Sequence, residues 1–368
     1  MTNITFITDP LVTTAGAVRP AILLARELQR CRKTVAIVTP RSDEGIAKSL
    51  TAKGIEIKET GPRFSFISSS PMFDAWARCL IFNTTTDQTQ GIVINTSSCL
   101  IAPAHVYYAQ GVMTKTLSDI LSENRSIYRY AYDLLKRPLI RLDKRLVQRF
   151  NESSDLFIAN SSFCASIYQE LGIRVQKIIC PPLDCEFFKP STASPSADYV
   201  LTTLGKYGRE GKMQVIKAVA DAGVKINVFG DTPYTPNSFE RSANITFLGR
   251  VSDQELVQLY SNALCTLFAF SHEPFGYIPI ESMACGTPVL TFNRQGPSET
   301  VVNGRTGWLT DSDEELLLLT VNCWKKGYES KVRTECRRRA TAYDVKTAVE
   351  EWNRIFEFDL AGTFNRAT

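Results

Sequence analysis

The sequence predicts an α/β protein made of two doubly wound parallel-sheet domains facing across a cleft. Three observations carry this. Strand-length and helix-length segments alternate at short intervals from the start of the chain, which is the pattern of βαβ units and of a parallel sheet. The alternation stops at a short polar stretch, "KPSTASPSAD" (Lys189 to Asp198), and then restarts. The chain has 368 residues, enough for two cores. The expected domains are 1–190 and 191–345, with a closing amphipathic helix at 346–368 packing back on the first.

In the first half, "NITFITD" reads as a buried strand, followed by a small-residue turn, "TTAGAVRP", and a helix, "AILLARELQR". "KTVAIVTP", "GIVINTS", "HVYYAQG", "SDLFIANS" and "VQKIICPP" read as further strands, with "SFCASIYQELG" as a helix between the last two. In the second half the strands are "YVLTTLG", "KINVFGD", "ITFLGR", "CTLFAF" and "PVLTFN". "KMQVIKAVADAG" and "SDQELVQLYSNA" are its helices, and "VKTAVEEWNRIFEF" closes the chain. Ligands of such sheets bind beyond the carboxyl ends of the strands. The turn after the first strand and the stretch beginning at Glu273 both follow strands, so both are expected at that rim.

Hydrophobic content of 44% and charged content of 22% fit a globular protein and argue against disorder. No apolar run approaches the roughly 18 residues that a membrane-spanning helix needs. The N-terminus reads as a first strand and lacks the basic flank and apolar core of a signal peptide. Ten cysteines are scattered without a C-x-x-C pair, and only two histidines accompany them. That spacing argues against zinc and for buried thiols in a reducing cytoplasm. The net charge of +4 is uneven. Up to Pro190 there are 23 Lys and Arg against 17 Asp and Glu; the remainder holds 19 against 21. Aromatic and basic residues form no nucleic-acid module, so no nucleic-acid partner is expected.

Several familiar signatures fail. "GKYGREGKM" (Gly205 to Met213) has the wrong spacing for a P-loop, and Met213 stands where a magnesium-binding hydroxyl belongs. No G-x-G-x-x-G follows the first strand, and no G-x-S-x-G elbow is present. An anion site remains. "EPFGYIPIESMACGTPVL" (Glu273 to Leu290) places Pro279 in the first turn of a helix, where its missing amide costs nothing. The free amides and dipole of that turn favour a phosphate. Glu273 precedes the loop and Glu281 lies one turn into the helix; each carboxylate can accept hydrogen bonds from a polyol. A phosphate flanked by two polyol-binding carboxylates describes a nucleotide sugar. "RQGPSET" offers a second anion contact at Gly296, before a helix expected to start near Ser298.

The stretch "SHEPFGYIPIESMACGTPVLTFNRQGPSETVVNGRTGWL" resembles the donor-site signature of glycosyltransferase family 4, the retaining GT-B enzymes. Weaker likeness in "ITFLGRVSDQELVQLYSNA", "LFIANSSFCASIYQELG" and "CPPLDCEFFKP" covers nearly the whole chain. The resemblance implies a GT-B fold with the donor bound by the C-terminal half. It implies that Glu273 contacts the transferred hexose, that Phe275, Gly276 and Tyr277 line sugar and phosphate, and that Glu281 holds the ribose. Arg250 and Val251 would border the base, Glu299 would belong to the turn after Gly296, and Gly16 would bring backbone to the donor phosphate from the opposite domain. Lys206 and Lys212, with Arg209 as substitute, stand where the family keeps its phosphate clamp. A lysine at the first of these loses the bidentate fork of an arginine. Near 4 Å one cation on the leaving diphosphate contributes about 4 kcal/mol at an effective dielectric of about 20. Gln110 stands where family members often place a histidine, and Gln295 replaces the first of two usual glycines. His105 and His272 are expected to be bystanders.

The expected reaction is transfer of a hexose from a UDP- or GDP-type donor to an acceptor hydroxyl, with retention, by same-face attack and without a metal or other cofactor. The acceptor is expected to be a growing or lipid-linked glycan. "SIYRYAYDLLKRPLIRLDKRLVQRF" (Ser126 to Phe150) carries seven Lys and Arg against two Asp, with interleaved leucines. This fits peripheral contact with anionic lipid at the cytoplasmic membrane face. The competing readings are a non-catalytic nucleotide-sugar-binding protein and a glycan phosphorylase or hydrolase on a related scaffold.

Overall fold

The computed structural model describes residues 3–60, 89–122, 127–204, 212–230, 242–270 and 272–359. The chain divides into two compact units. One comprises residues 1–116, 130–182 and 345–368, the other 117–129 and 183–344.

The first unit holds strands β1 (Asn3–Ile7), β2 (Thr34–Thr39), β3 (Glu56–Glu59), β4 (Ile92–Asn95), β5 (Ala104–Ala109), β6 (Ser154–Ala159) and β7 (Lys177–Ile178). They form one sheet in the order β3-β2-β1-β4-β5-β6-β7, with every pair parallel. The central strands read as continuous apolar runs because helices cover both faces. On one face Ile4, Phe6, Ile37 and Ile94 pack with Leu24 and Leu28 of the helix Arg19–Arg30. Ile7, Val38, Tyr107 and Phe157 pack on the other with Phe150 and Tyr168. The helix Val345–Arg354 joins the first face: Trp352 is 1% exposed, its ring 5.6 Å from that of Tyr108.

The second unit holds β8 (Val200–Thr203), β9 (Ile226–Phe229), β10 (Ile245–Gly249), β11 (Cys265–Phe268), β12 (Val289–Phe292) and β13 (Gly307–Thr310), ordered β10-β9-β8-β11-β12-β13 and again all parallel. In each sheet the order reverses once, between β1 and β4 and between β8 and β11. Those two reversals are the crevices where α/β sheets take ligands.

The sequence places the domain boundary at 190/191; the contacts divide the chain after Pro182. Leu183 donates its amide to the Tyr343 carbonyl at 2.7 Å within the second unit. The stretch Lys189–Asp198, whose polarity reads as a linker, lies instead along the helix Asp253–Asn262. The Ser191 amide donates to Ser261 Oγ at 3.0 Å, Ser191 Oγ to Gln258 Oε1 at 2.8 Å, and the Ala197 amide to the Asn262 carbonyl at 2.9 Å. Two of its serines, Ser191 and Ser196, bind that helix. All nine cysteines among the described residues are free thiols.

Candidate functional site

The loop after β11 and the helix Tyr277–Ala284 occupy the reversal point of the second sheet. Gly276 caps the helix at φ 98°, ψ 77°, a left-handed conformation that a side chain adopts only under strain. Its missing Cβ would also come within 3.3 Å of the rings of both Pro279 and Pro297. Pro279 is the third helical residue, where no intrahelical acceptor awaits an amide. Ser282 fits the helix against the sheet: its hydroxyl lies 2.7 Å from that of Thr266 and donates to the Thr287 carbonyl at 2.9 Å.

Glu273 is tied to this loop through both backbone and side chain. Its amide donates to Gln295 Oε1 at 2.7 Å, and its carbonyl accepts from the Gly296 amide at 3.1 Å. Its Oε1 accepts from the amides of Phe275 (3.3 Å) and Gly276 (3.0 Å). One carboxylate oxygen therefore organises the loop, and Oε2 stands outside both bonds. Burial pushes the carboxyl above its ordinary 4.5, against the pull of the Phe275 amide, His272 and the Gly276 amide.

That shift has a testable sign. With the folded value raised, the stability contributed by this group is full below 4.5 and is lost as pH rises through the folded value. Glu273→Gln keeps an oxygen for the two amides and removes the charge. It is expected to melt above the parent at neutral pH, by roughly 2–4 °C for each kcal/mol recovered. The gap should close on acidification; a gap that widens at low pH contradicts the assignment.

Glu281 is 5% exposed and accepts from the Tyr260 hydroxyl at 3.0 Å. Tyr260 also packs edge-on against Phe229 at the carboxyl end of β9, 6.0 Å between centroids. Phe275 is 3% exposed, its ring packed against Tyr277 and Tyr343. Phe275 thus faces the protein, and what it can offer a ligand is backbone. Gly296 is buried directly under the loop, and the short helix it belongs to begins at Gln295, not near Ser298. Glu299, on that helix, gives its carbonyl to Arg339 at 2.8 Å.

Lys212 ends the connection that follows β8, and its amide donates to the Ala269 carbonyl beyond β11 at 2.7 Å. The reversal point is thereby closed by backbone. Its ammonium pairs with Asp313 Oδ1 at 2.7 Å and lies 4.9 Å from the Phe292 ring centroid. Lys206 and Arg209 lie outside the described residues. Arg250 and Val251 follow β10, the edge strand, two strands away from β8. Val251 lines a cavity of about 700 Å³ with Tyr199, Asn227, Leu248 and Leu259.

In the first unit, Gly16 opens a helical turn, Gly16–Val18, at φ 68°, and no heavy atom lies within 4 Å of where its Cβ would be. Gln110 secures that turn: its amide nitrogen donates to the Ala17 carbonyl at 2.8 Å and to the Thr96 carbonyl at 3.2 Å. Asp9, after β1, accepts from the hydroxyls of Ser97 and Ser98 at 2.8 and 2.9 Å. His105 Nδ1 accepts from the Val93 amide, and burial lowers its pKa.

One participant, Asp119, escapes sequence reasoning, and two others, Gln295 and His272, appear there only as a departure and a bystander. Asp119 Oδ2 lies 2.8 Å from His272 Nδ1 and accepts from Gln295 Nε2 at 3.2 Å. Gln295 holds φ at 58° without being glycine. Its side chain bridges the Asp119 carboxylate to the Glu273 amide, so the glutamine that departs from the usual glycine is a strut of the loop. His272 belongs to the same network.

Residues 186–341 match the family described as glycosyl transferases group 1. The mouse (Mus musculus) alpha-1,3/1,6-mannosyltransferase ALG2 is 39% identical over 70 residues, 19% of this chain and 17% of that protein. The Eremothecium gossypii ALG2 is 30% identical over 179 residues, 45% of this chain and 32% of that one. The matches thus span less than a third of either relative. Anabaena HepE, solved in complex with UDP and glucose, superposes with a TM-score of 0.68 at 18% identity, covering 97% of this chain and 100% of that one. Sucrose-phosphate synthase from Thermosynechococcus elongatus gives 0.69 at 16%, covering 98% and 100%. At these identities the structural likeness speaks to fold. Residues 186–341 are thus similar to the glycosyl transferases group 1 family, and the chain has a two-domain GT-B fold.

Proposed function

We propose that the protein is a retaining glycosyltransferase that moves a hexose from a nucleotide diphosphate sugar to an acceptor hydroxyl. The observation that carries this reading is the Glu273 loop. One carboxylate oxygen is fixed by the Phe275 and Gly276 amides, the other stands outside those bonds, and the helix Tyr277–Ala284 begins beside it. A diphosphate at that helix start would meet first-turn amides and the positive end of the dipole. The hexose would then lie within reach of Glu273 Oε2. Glu281, already positioned by Tyr260, would turn its carboxylate to the ribose.

In this reading the protein holds the donor, stabilises the departing diphosphate with amides and with cations after β8, and leaves the acceptor proton to a donor phosphate oxygen. Attack from the face the diphosphate leaves retains the anomeric configuration. No step calls on a metal or a second cofactor. Similarity to mannosyltransferases supports a hexose donor of the GDP or UDP type. It also favours a lipid-linked or growing glycan as acceptor, at the cytoplasmic face of a membrane.

Melting the full chain against UDP, GDP, ADP and their sugars tests the reading. A nucleotide at a hundred times its Kd should stabilise the folded state by about 2.7 kcal/mol. A shift with one base, larger for the diphosphate than for the monophosphate, is the expected result. A flat response across the panel overturns it.

A further inference from the structure

We infer that the outward face of the helix Ile127–Glu152 is a docking surface for an anionic lipid bilayer. The inference rests on this helix alone and does not depend on the transfer reading.

Two structural observations carry it. Every residue from Asp133 to Pro138 is exposed, so this part of the helix stands clear of the fold on all sides. Farther along, Leu146, Val147 and Phe150 are buried, and Asp143 is held by the Thr114 amide at 2.6 Å. Leu135 falls on the same side as Leu142 and Leu146, seven and eleven residues on, yet it is 50% exposed. Leu134 is 83% exposed and Tyr130, one turn earlier, 75%. A soluble surface gains nothing from two adjacent leucines presented about 100° apart on a protruding turn.

The second observation is what surrounds them. Lys136, Arg137, Arg141, Lys144 and Arg145 are all exposed, and the exposed acids of the helix are Asp133 and its last residue, Glu152. At 100° per residue, Tyr130, Leu134, Arg137, Arg141 and Arg145 fall within one narrow outward stripe. Apolar tips thus lead and cations follow on the same face. That order suits an interfacial helix, with leucine and tyrosine entering the acyl boundary and long basic side chains reaching phosphate headgroups. Pro138 adds to it by removing the amide that would bond the Leu134 carbonyl, leaving that oxygen open to headgroup or water. A nucleic acid or an acidic protein would use the cations and leave the leucines in water. Among the described residues no helix is long and apolar enough to cross a membrane, so contact is peripheral for this helix.

The test is co-sedimentation of the full chain with phosphatidylcholine vesicles, with and without phosphatidylglycerol, at low and high salt. Binding is expected to require phosphatidylglycerol and to weaken with salt. Replacing Lys136, Arg137 and Arg141 by glutamine should weaken it roughly fivefold for each cation. Leu134→Ser with Leu135→Ser should weaken it at unchanged charge, with an unaltered melting temperature because both side chains are already exposed. Tyr130→Trp supplies a second readout: the emission of the new indole should shift blue on binding and be quenched by brominated acyl chains. Absence of co-sedimentation overturns the inference, as does equal binding to phosphatidylcholine alone. Undiminished binding by the leucine variant, with unquenched indole emission from the Tyr130→Trp variant and equal capture of heparin, assigns the face to polyanions and overturns it as well.

Discussion

Glu273→Ala is expected to lower hexose transfer by about 10²- to 10³-fold, the loss typical of removing one preorganised polar group from a reacting centre. Nucleoside diphosphate binding should change little. The split follows from the two oxygens. Oε2 is the one proposed to hold the hexose, and its loss acts on positioning of the transferred group. Oε1 holds the amides of Phe275 and Gly276, so its loss loosens the loop as well. The backbone anchors of the loop survive the substitution: the Glu273 amide on Gln295 and the Gly296 amide on the Glu273 carbonyl. Glu273→Gln separates the contributions, because it keeps a carbonyl oxygen for the two amides while losing the charge. If alanine and glutamine fall together in turnover with nucleotide affinity intact, the carboxylate acts on the sugar. Should the alanine variant turn over as fast as the parent, the reading of this site fails. Should nucleotide binding collapse with turnover in alanine alone, the residue is a loop strut only.

The fold was legible because the alternation of buried strands and amphipathic helices is a strong periodic signal. The apolar runs Ile4–Ile7, Val35–Val38 and Ile92–Ile94 all became central strands. The helix carrying Glu281 was legible for a different reason: glycine, proline and small residues at fixed offsets admit few local structures, and Gly276 and Ser282 take them up. Less legible was anything depending on partners distant in sequence. Asp119 meets His272 and Gln295 across more than 150 residues, and no spacing rule reaches that far. The run "CRRRA" (Cys336 to Ala340) carries no spacing signal that marks it as structural. Two of its three arginines bind carbonyls: Arg337 takes those of Phe188, Ala284 and Cys185, and Arg339 those of Thr300 and Glu299, while Arg338 pairs with Glu335. Arg333, one turn earlier, reaches Ser261 and Ala263. The helix Lys331–Ala340 thereby caps the carboxyl end of the helix Tyr277–Ala284, with charge used as a donor array. Lys212 illustrates the converse. Its place in the sequence implies a phosphate-clamp cation and gives no hint of Asp313, with which the fold pairs it.

Gly296→Ala should be the most damaging small substitution near the site. A Cβ at this position would lie 2.3 Å from Phe275 Cα and 2.5 Å from both its amide nitrogen and its carbonyl oxygen. All three are backbone atoms, so no rotamer change relieves the overlap. The loop must move, and it carries Glu273 on one side and the cap Gly276 on the other. The expected cost is about 3 kcal/mol or more, at the upper end for overpacking. In a domain of this size that lowers Tm by roughly 6–12 °C. Gly304→Ala is the matched control. Gly304 holds φ at 73°, but nothing lies within 4 Å of its missing Cβ. It should therefore cost only the strain of a left-handed alanine, about 1–2 kcal/mol, and leave ligand binding unchanged. The two variants add the same methyl group to the same unit, so the difference between them isolates the contact of Gly296 with the loop. Gly296→Ala is expected to lose nucleotide-induced stabilisation as well as Tm, since the displaced segment leads into the helix start. If both variants melt alike and both still respond to nucleotide, the loop is not braced by Gly296, and the bond from its amide to Glu273 has no part in shaping the cradle.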